Sequence, residues 1–136
     1  MEKKAMVLIG HGSTLPYNRE VVIALSRMIR SMNRWDEVSY CFLEIEPPSI
    51  EEVLDDVCQD GAIQTIVFAP VFIASGAHIQ RDIPRALKMP EGGSLTQRTI
   101  RGVKRRILLS GPIGADKELA SIIERKATEA IASSPT

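Results

Sequence analysis

Hydrophobic positions along this chain alternate between two patterns. Some are continuous apolar runs bounded by turn residues, and others recur at helical spacing. AMVLIG (5–10) is aliphatic and ends at glycine, which predicts a strand buried on both faces. Between Asn18 and Arg34, Val21, Val22, Leu25, Met28, Ile29 and Met32 fall on one helical face. SYCFLEI (39–45) predicts a second strand. Pro48, Ser49 and Ile50 then open a helix running to about Gln59. Its first turn carries Glu51 and Glu52, where the helix dipole favours acids, and Gly61 ends it. TIVFAPVFI (65–73) predicts the third strand, running into ASGAH. A helix from about Ile79 to Leu87 follows, with Pro84 disturbing or ending its regular part. RRILLSG (105–111) is the fourth strand. Asp116 is placed to cap a last helix with Leu119, Ile122, Ile123, Ala127 and Ile131 on one face.

Alternating strands and helices, with apolar strands throughout, predict an α/β fold. Its four-stranded parallel sheet would be covered by helices on both faces. Residues 89–104 (MPEGGSLTQRTIRGVK) show no period and end in a basic stretch. They are expected to form a flexible basic loop, and loops this long are usually lids, binding loops or disordered.

The length of 136 residues suits one domain spanning 1–136. Lys plus Arg and Asp plus Glu both number 17, so the chain is not expected to bind nucleic acid generally. No apolar run approaches a membrane span, and MEKKAMVLIGHG turns polar too soon for a secretory signal. Cys41 and Cys58 make no metal motif by spacing and read as buried thiols in a reducing compartment. The expected location is the cytoplasm, with no membrane partner.

The chemistry gathers at LIGHGST (8–14), where a lone imidazole sits between two glycines at the end of a buried strand. In open α/β sheets, ligands bind outside the carboxyl ends of the strands, where strand order reverses. A common order sets strand 1 beside strand 3, which brings His11 and His78, the only histidines, to one crevice. Gly10, Gly12 and Gly76 let the backbone approach a ligand or take positive φ. Two neutral imidazoles suit a borderline ion such as Co(II), Ni(II), Zn(II) or Fe(II). Two ligands are too few for a closed structural site, so the metal is expected to pass through rather than reside. Protonated imidazole binds no metal, so capture should weaken in acid. Glu44 and Glu46 would share one face of strand 2. Glu44, at the end of a buried strand, is a candidate proton acceptor; a solvated strand end or a helix-capping role is the alternative.

Four motifs taken together resemble a known family. They are GHGS (10–13), FLE with PSI (42–44 and 48–50), PVFIASGAHIQRDIP (70–84) and PIGAD (112–116). The pattern Gly76, His78, Asp82, Ile83 and Pro84 is the most specific of them. The chain is similar to the small class II tetrapyrrole chelatases, and more closely to the archaeal sirohydrochlorin cobaltochelatases and nickelochelatases. The resemblance implies a single flavodoxin-like, chelatase-like domain. It implies ATP-independent insertion of Co(II) or Ni(II) into sirohydrochlorin, an acidic tetrapyrrole, leading toward cobalamin or a nickel tetrapyrrole coenzyme. No cofactor would be bound permanently; the metal is a substrate. It further implies a homodimer with the macrocycle held between subunits, His11 and His78 as metal ligands, and Glu44 beside them. Some small members carry a histidine-rich run before the last strand, and here residues 89–104 have no histidine.

For an acidic macrocycle, the backbone N–H groups of Gly12, Ser13 and Thr14, and of Ser75, Gly76 and Ala77, are candidate anion sites. Ser13 and Thr14 read equally well as caps of a turn or helix. Arg98, Arg101, Lys104, Arg105 and Arg106 either sit over the ligand or form a solvated basic edge. Asp82 caps or orients the local helix, or partners His78. A metal chaperone would need the same histidines but no macrocycle cleft. A phosphotransferase using His11 as nucleophile would usually place an arginine beside it, and none is adjacent. A purely structural domain leaves the paired histidines unexplained.

Overall fold

The computed structural model describes residues 2–135. The strands are β1 (Lys3–Gly10), β2 (Glu37–Phe42), β3 (Ile63–Pro70), β4 (Leu95–Ile100) and β5 (Val103–Leu109). The helices are α1 (Tyr17–Ser31), α2 (Ile50–Val57), α3 (Ile83–Ala86) and α4 (Lys117–Ser133), with a π-helical turn at His78–Asp82 leading into α3. The sheet has five strands in the order β2-β1-β3-β5-β4. The first four of these run parallel, and β4 lies antiparallel to β5 at the edge. The expected placement of strand 1 beside strand 3 is present, so the order reverses between them.

The four-stranded, all-parallel expectation therefore needs correction. Residues 89–104 are not one loop: Leu95–Ile100 form β4, paired from Leu95 opposite Leu108 to Ile100 opposite Val103. A two-residue turn joins β4 to β5, with Arg101 at φ 52° and Gly102 at φ 73°. Both central residues are left-handed, which matches strand twist in tight hairpins. Alternation in LTQRTI is polar-weighted, as suits an edge strand with one wet face.

β1 is buried on both sides. Ala5, Val7 and Ile9 join Val53, Leu54, Val57, Ile79, Ile83 and Leu87 in the larger core cluster, so α2 and α3 cover that face. Leu8 joins Val22, Val38 and Phe42 on the opposite face, under α1. α2 starts at a full capping box. Ser49 Oγ accepts from Glu52 N–H, and Glu52 Oε1 accepts from Ser49 N–H. α4 is capped by Asp116, as expected, yet it contributes no buried residue. Cys41 and Cys58 are free and buried, and burial pushes the Cys41 thiol up to about 12. No described helix is long and apolar enough to cross a membrane.

The basic stretch is dispersed rather than gathered over the crevice. Arg105 is fully buried and donates to the carbonyls of Cys58, Asp60, Ile63 and Ile100. It thus ties the end of α2 to the β4–β5 hairpin. Arg101 forms a two-point pair with Asp55 at 3.2 and 3.1 Å. The hairpin turn lies at the amino ends of the parallel strands, because β4 runs backwards along β5. Arg101 and Lys104 therefore stand at the opposite end of the sheet from both histidines.

Candidate functional site

The site forms where β1 and β3 end. Pairing continues beyond the strands: Leu43 N–H donates to Gly10 O at 2.9 Å, Glu44 N–H to His11 O at 3.2 Å, and Val71 N–H to Ile9 O at 2.9 Å. His11 is thus held by its own backbone between the extensions of β2 and β3. Gly12 takes φ +99°, and a Cβ there would overlap the Glu44 carbonyl oxygen. Only glycine lets these two segments pass.

His78 arrives from the other side, at the start of the π-helical turn. Pro84 explains that turn locally. It has no N–H to give Gln80 O, and its ring crowds the carbonyl four residues back. The Gln80 carbonyl accepts from Gly92 N–H at 2.7 Å instead. The helix widens, Ile83 N–H reaches His78 O, and the segment continues as α3. Such widened turns recur at functional sites.

The two imidazoles meet with Nε2 atoms 3.1 Å apart and ring centroids 4.9 Å apart. His78 Nδ1 lies 2.8 Å from Asp82 Oδ2, and His11 Nδ1 lies 3.3 Å from Gly12 O. Both Nδ1 atoms therefore face acceptors; in neutral rings that carry their proton on Nδ1, both Nε2 lone pairs point toward each other. Two lone pairs repel unless a cation lies between them. Imidazole nitrogens bind zinc-like ions at about 2.0–2.1 Å, so this separation subtends roughly 95–102° at a shared ion. That angle falls between octahedral and tetrahedral values. His11 and His78 side chains are 47% and 39% exposed, so the pair is open to solvent on one side.

Glu44 Oε1 is 3.6 Å from His11 Nε2, with the side chain 52% exposed. The expected placement of Glu44 and Glu46 by strand alternation does not hold, because β2 ends at Phe42 and Ile45 takes φ 72°. Both carboxylates still address the GHGS loop, since Glu46 Oε2 accepts from Ser13 N–H at 3.0 Å. Among the described residues, no three His, Cys, Asp or Glu side chains converge to hold a metal. The site is a two-histidine pair with a carboxylate at its shoulder. Asp82 makes no capping bond with its side chain. Its hydrogen bond to His78, with Arg81 beside it, holds its carboxyl below the usual carboxylate range.

The anion-site candidates divide. Ser13 N–H is taken by Glu46, and Ser13 Oγ accepts from Leu15 N–H, so the turn-cap reading holds for Ser13. Gly12 N–H faces Asn18 Oδ1 at 3.4 Å. Ser75, Gly76 and Ala77 are exposed at the start of the π-helical turn. Ser75 Oγ accepts from Gln80 Nε2 at 3.0 Å. A cleft of about 380 Å³ opens beside His78, lined by Leu43, Glu44, Glu51, Asp82 and Ala86 among others. Phe72, which sequence reasoning missed, sets its ring 6.1 Å from His11 and 6.2 Å from His78. The apolar run containing it gave no sign that it would back the histidines rather than fill the core.

The chain is similar in sequence and fold to known proteins. The sequence is 36% identical over 130 residues to the sirohydrochlorin cobaltochelatase of Methanosarcina barkeri, covering 96% of this chain and 98% of that one. It is 33% identical over 139 residues to the sirohydrochlorin cobaltochelatase of Methanopyrus kandleri, covering 93% and 96%. In fold it is similar to the sirohydrochlorin chelatase SirB of Bacillus subtilis subspecies spizizenii, solved in complex with cobalt. That match has a TM-score of 0.72 at 21% identity over 93% of this chain, which spans about half, 50%, of the SirB chain. A cobalamin-biosynthesis CbiX protein of Marinobacter aquaeolei gives a TM-score of 0.67 at 20% identity, covering 96% of this chain and 99% of that one. A sequence model of the CbiX family matches residues 5–130, and the chain belongs to that family.

Proposed function

We propose that this protein inserts Co(II) or Ni(II) into sirohydrochlorin without ATP. One observation carries the reading: two imidazole Nε2 atoms converge at 3.1 Å with their Nδ1 atoms turned to acceptors. The similarity to proteins named sirohydrochlorin cobaltochelatase supports the macrocycle as co-substrate.

Metallating a free-base tetrapyrrole requires the ion to shed water and two pyrrole N–H protons to leave. His11 and His78 replace part of the hydration shell and hold the ion at the mouth of the crevice. Imidazole binds such ions well but exchanges, and a two-ligand site leaves the remaining positions for ring nitrogens. Glu44, 3.6 Å from His11 Nε2 and half in solvent, accepts the two leaving protons in turn and passes each to water. The N–H groups of Ser75, Gly76 and Ala77 receive a carboxylate of the macrocycle.

The working form is a homodimer in the cytoplasm. A cleft of about 380 Å³ lies near the low end of the roughly 300–1,000 Å³ typical for drug-sized ligands, and a tetrapyrrole is larger. This chain matches half of SirB, a length that a second copy would supply. A phosphotransfer role for His11 is disfavoured, since its Nε2 faces His78 rather than an arginine.

The test is anaerobic mixing of the protein with sirohydrochlorin and Co(II) or Ni(II), followed by visible absorption. Metallation should run above the uncatalysed rate without ATP and fall at least about tenfold in His11→Ala and in His78→Ala. Coincident traces with and without protein, for both metals, would defeat the chelatase reading. Stoichiometric metal binding with no change in the macrocycle spectrum would identify a metal chaperone instead.

A further inference from the structure

The anchors of the two imidazoles are unequal. His11 Nδ1 has a carbonyl at 3.3 Å, at the long limit of a hydrogen bond. His78 Nδ1 has a carboxylate oxygen at 2.8 Å, the length of a charge-assisted bond. An ionised carboxylate only accepts, so the proton of this bond sits on Nδ1, and in the neutral ring Nε2 is left bare. The hydrogen bond at one ring nitrogen sets the state of the other.

We propose that Asp82 is a positioning residue for metal capture, fixing His78 as the Nδ1–H tautomer with its Nε2 lone pair turned toward His11 and an incoming divalent ion. The inference rests on the chelatase reading above and adds a residue to that site. Three further observations support it. Asp82 is free of the other task open to it, since its side chain caps nothing. Its second oxygen, Oδ1, accepts from Arg81 Nε at 3.2 Å, so the carboxylate is held at both oxygens. The backbone between His78 and Asp82 is fixed from outside the turn, because Gly92 N–H takes the Gln80 carbonyl at 2.7 Å. The carboxylate and imidazole are thus presented to each other by a braced turn.

A histidine without such a partner favours the Nε2–H form in water, which would place a proton where the metal must bind. Carboxylate partners of metal-binding histidines typically contribute about 10–100-fold in metal affinity.

The test uses the full chain labelled with ¹⁵N, free of metal, at about pH 8, where an ordinary imidazole is neutral. Two-bond ¹H–¹⁵N correlations of the His78 ring report the tautomer directly. Wild type should show Nδ1–H. Asp82→Ala should shift His78 toward Nε2–H, and titration with Co(II) alone should show affinity reduced about 10–100-fold. Asp82→Glu should recover part of both signals, which distinguishes loss of the carboxylate from damage to the turn. Asp82→Ala that keeps the Nδ1–H form and binds Co(II) within about threefold of wild type overturns the proposal. The sirohydrochlorin assay on the same samples separates the two readings. Asp82-dependent Co(II) binding without any metallation would support the positioning role and sink the chelatase reading. Undiminished metallation by Asp82→Ala would do the reverse.

Discussion

Gly12 and Gly102 both take positive φ, +99° and +73°, yet they differ in kind. At Gly102 nothing lies within 4 Å of an added Cβ, so alanine there meets only the left-handed backbone penalty. That penalty is about 1–2 kcal/mol. At Gly12 the same methyl would overlap the Glu44 carbonyl and force β1 and β2 apart where His11 emerges. Gly12→Ala should therefore destabilise by about 3 kcal/mol or more and also abolish metal binding. Gly102→Ala should lose about 1 kcal/mol and keep full metal binding. Urea denaturation with Co(II) titration checks both. Equal effects on metal binding would show that the close approach at Gly12 does not position His11.

Among the elements, β2 carries a charge that its position disfavours. Burial raises the Glu37 carboxyl above the usual range, with Asp56 and Asp60 adding to the rise and Ser39 and Arg30 opposing it. A raised folded value means that the group favours the folded state while protonated. That contribution is complete below the ordinary glutamate range and is lost as pH rises through the folded value. Glu37→Gln should thus become more stable relative to wild type as pH rises, by under about 1 kcal/mol at neutrality. Denaturant titrations at about pH 4 and about pH 7 measure the difference. A gap that is the same at both would remove the account.

At the scale of the whole molecule, α4 is the unfinished part. Ile123 and Ile131 are 59% and 77% exposed on a helix with no buried residue. Capping explains where α4 starts, but packing within one chain does not explain its apolar stripe. If the homodimer proposed above uses this stripe, Ile123→Asp should lower the molar mass seen in sedimentation from dimer to monomer. Catalysis should fall with it if the macrocycle lies between copies. An unchanged mass in Ile123→Asp would place the interface elsewhere, and a monomeric, active wild type would end the homodimer reading.

Local physics settled much of this protein before any fold was known. The apolar runs named β1, β2, β3 and β5 to within a few residues. Ser49 and Asp116 marked two helix starts, because a cap acts within one turn. The two histidines were legible as a pair, because open α/β sheets gather ligands where strand order reverses. The edge strand β4 was not legible. LTQRTI has no apolar face strong enough to declare itself, and its pairing with β5 depends on the Arg101–Gly102 turn. Nor did residue type reveal that Arg105 would be buried against four carbonyls while Arg101 pairs with Asp55 on the surface. Chain direction at a hairpin decides which end of the sheet a charge reaches. The 3.1 Å meeting of His11 and His78, and the 2.8 Å bond between His78 Nδ1 and the Asp82 carboxylate, belong to the tertiary structure alone. Spacing in the chain can place side chains at one crevice, but only packing sets the direction of a lone pair.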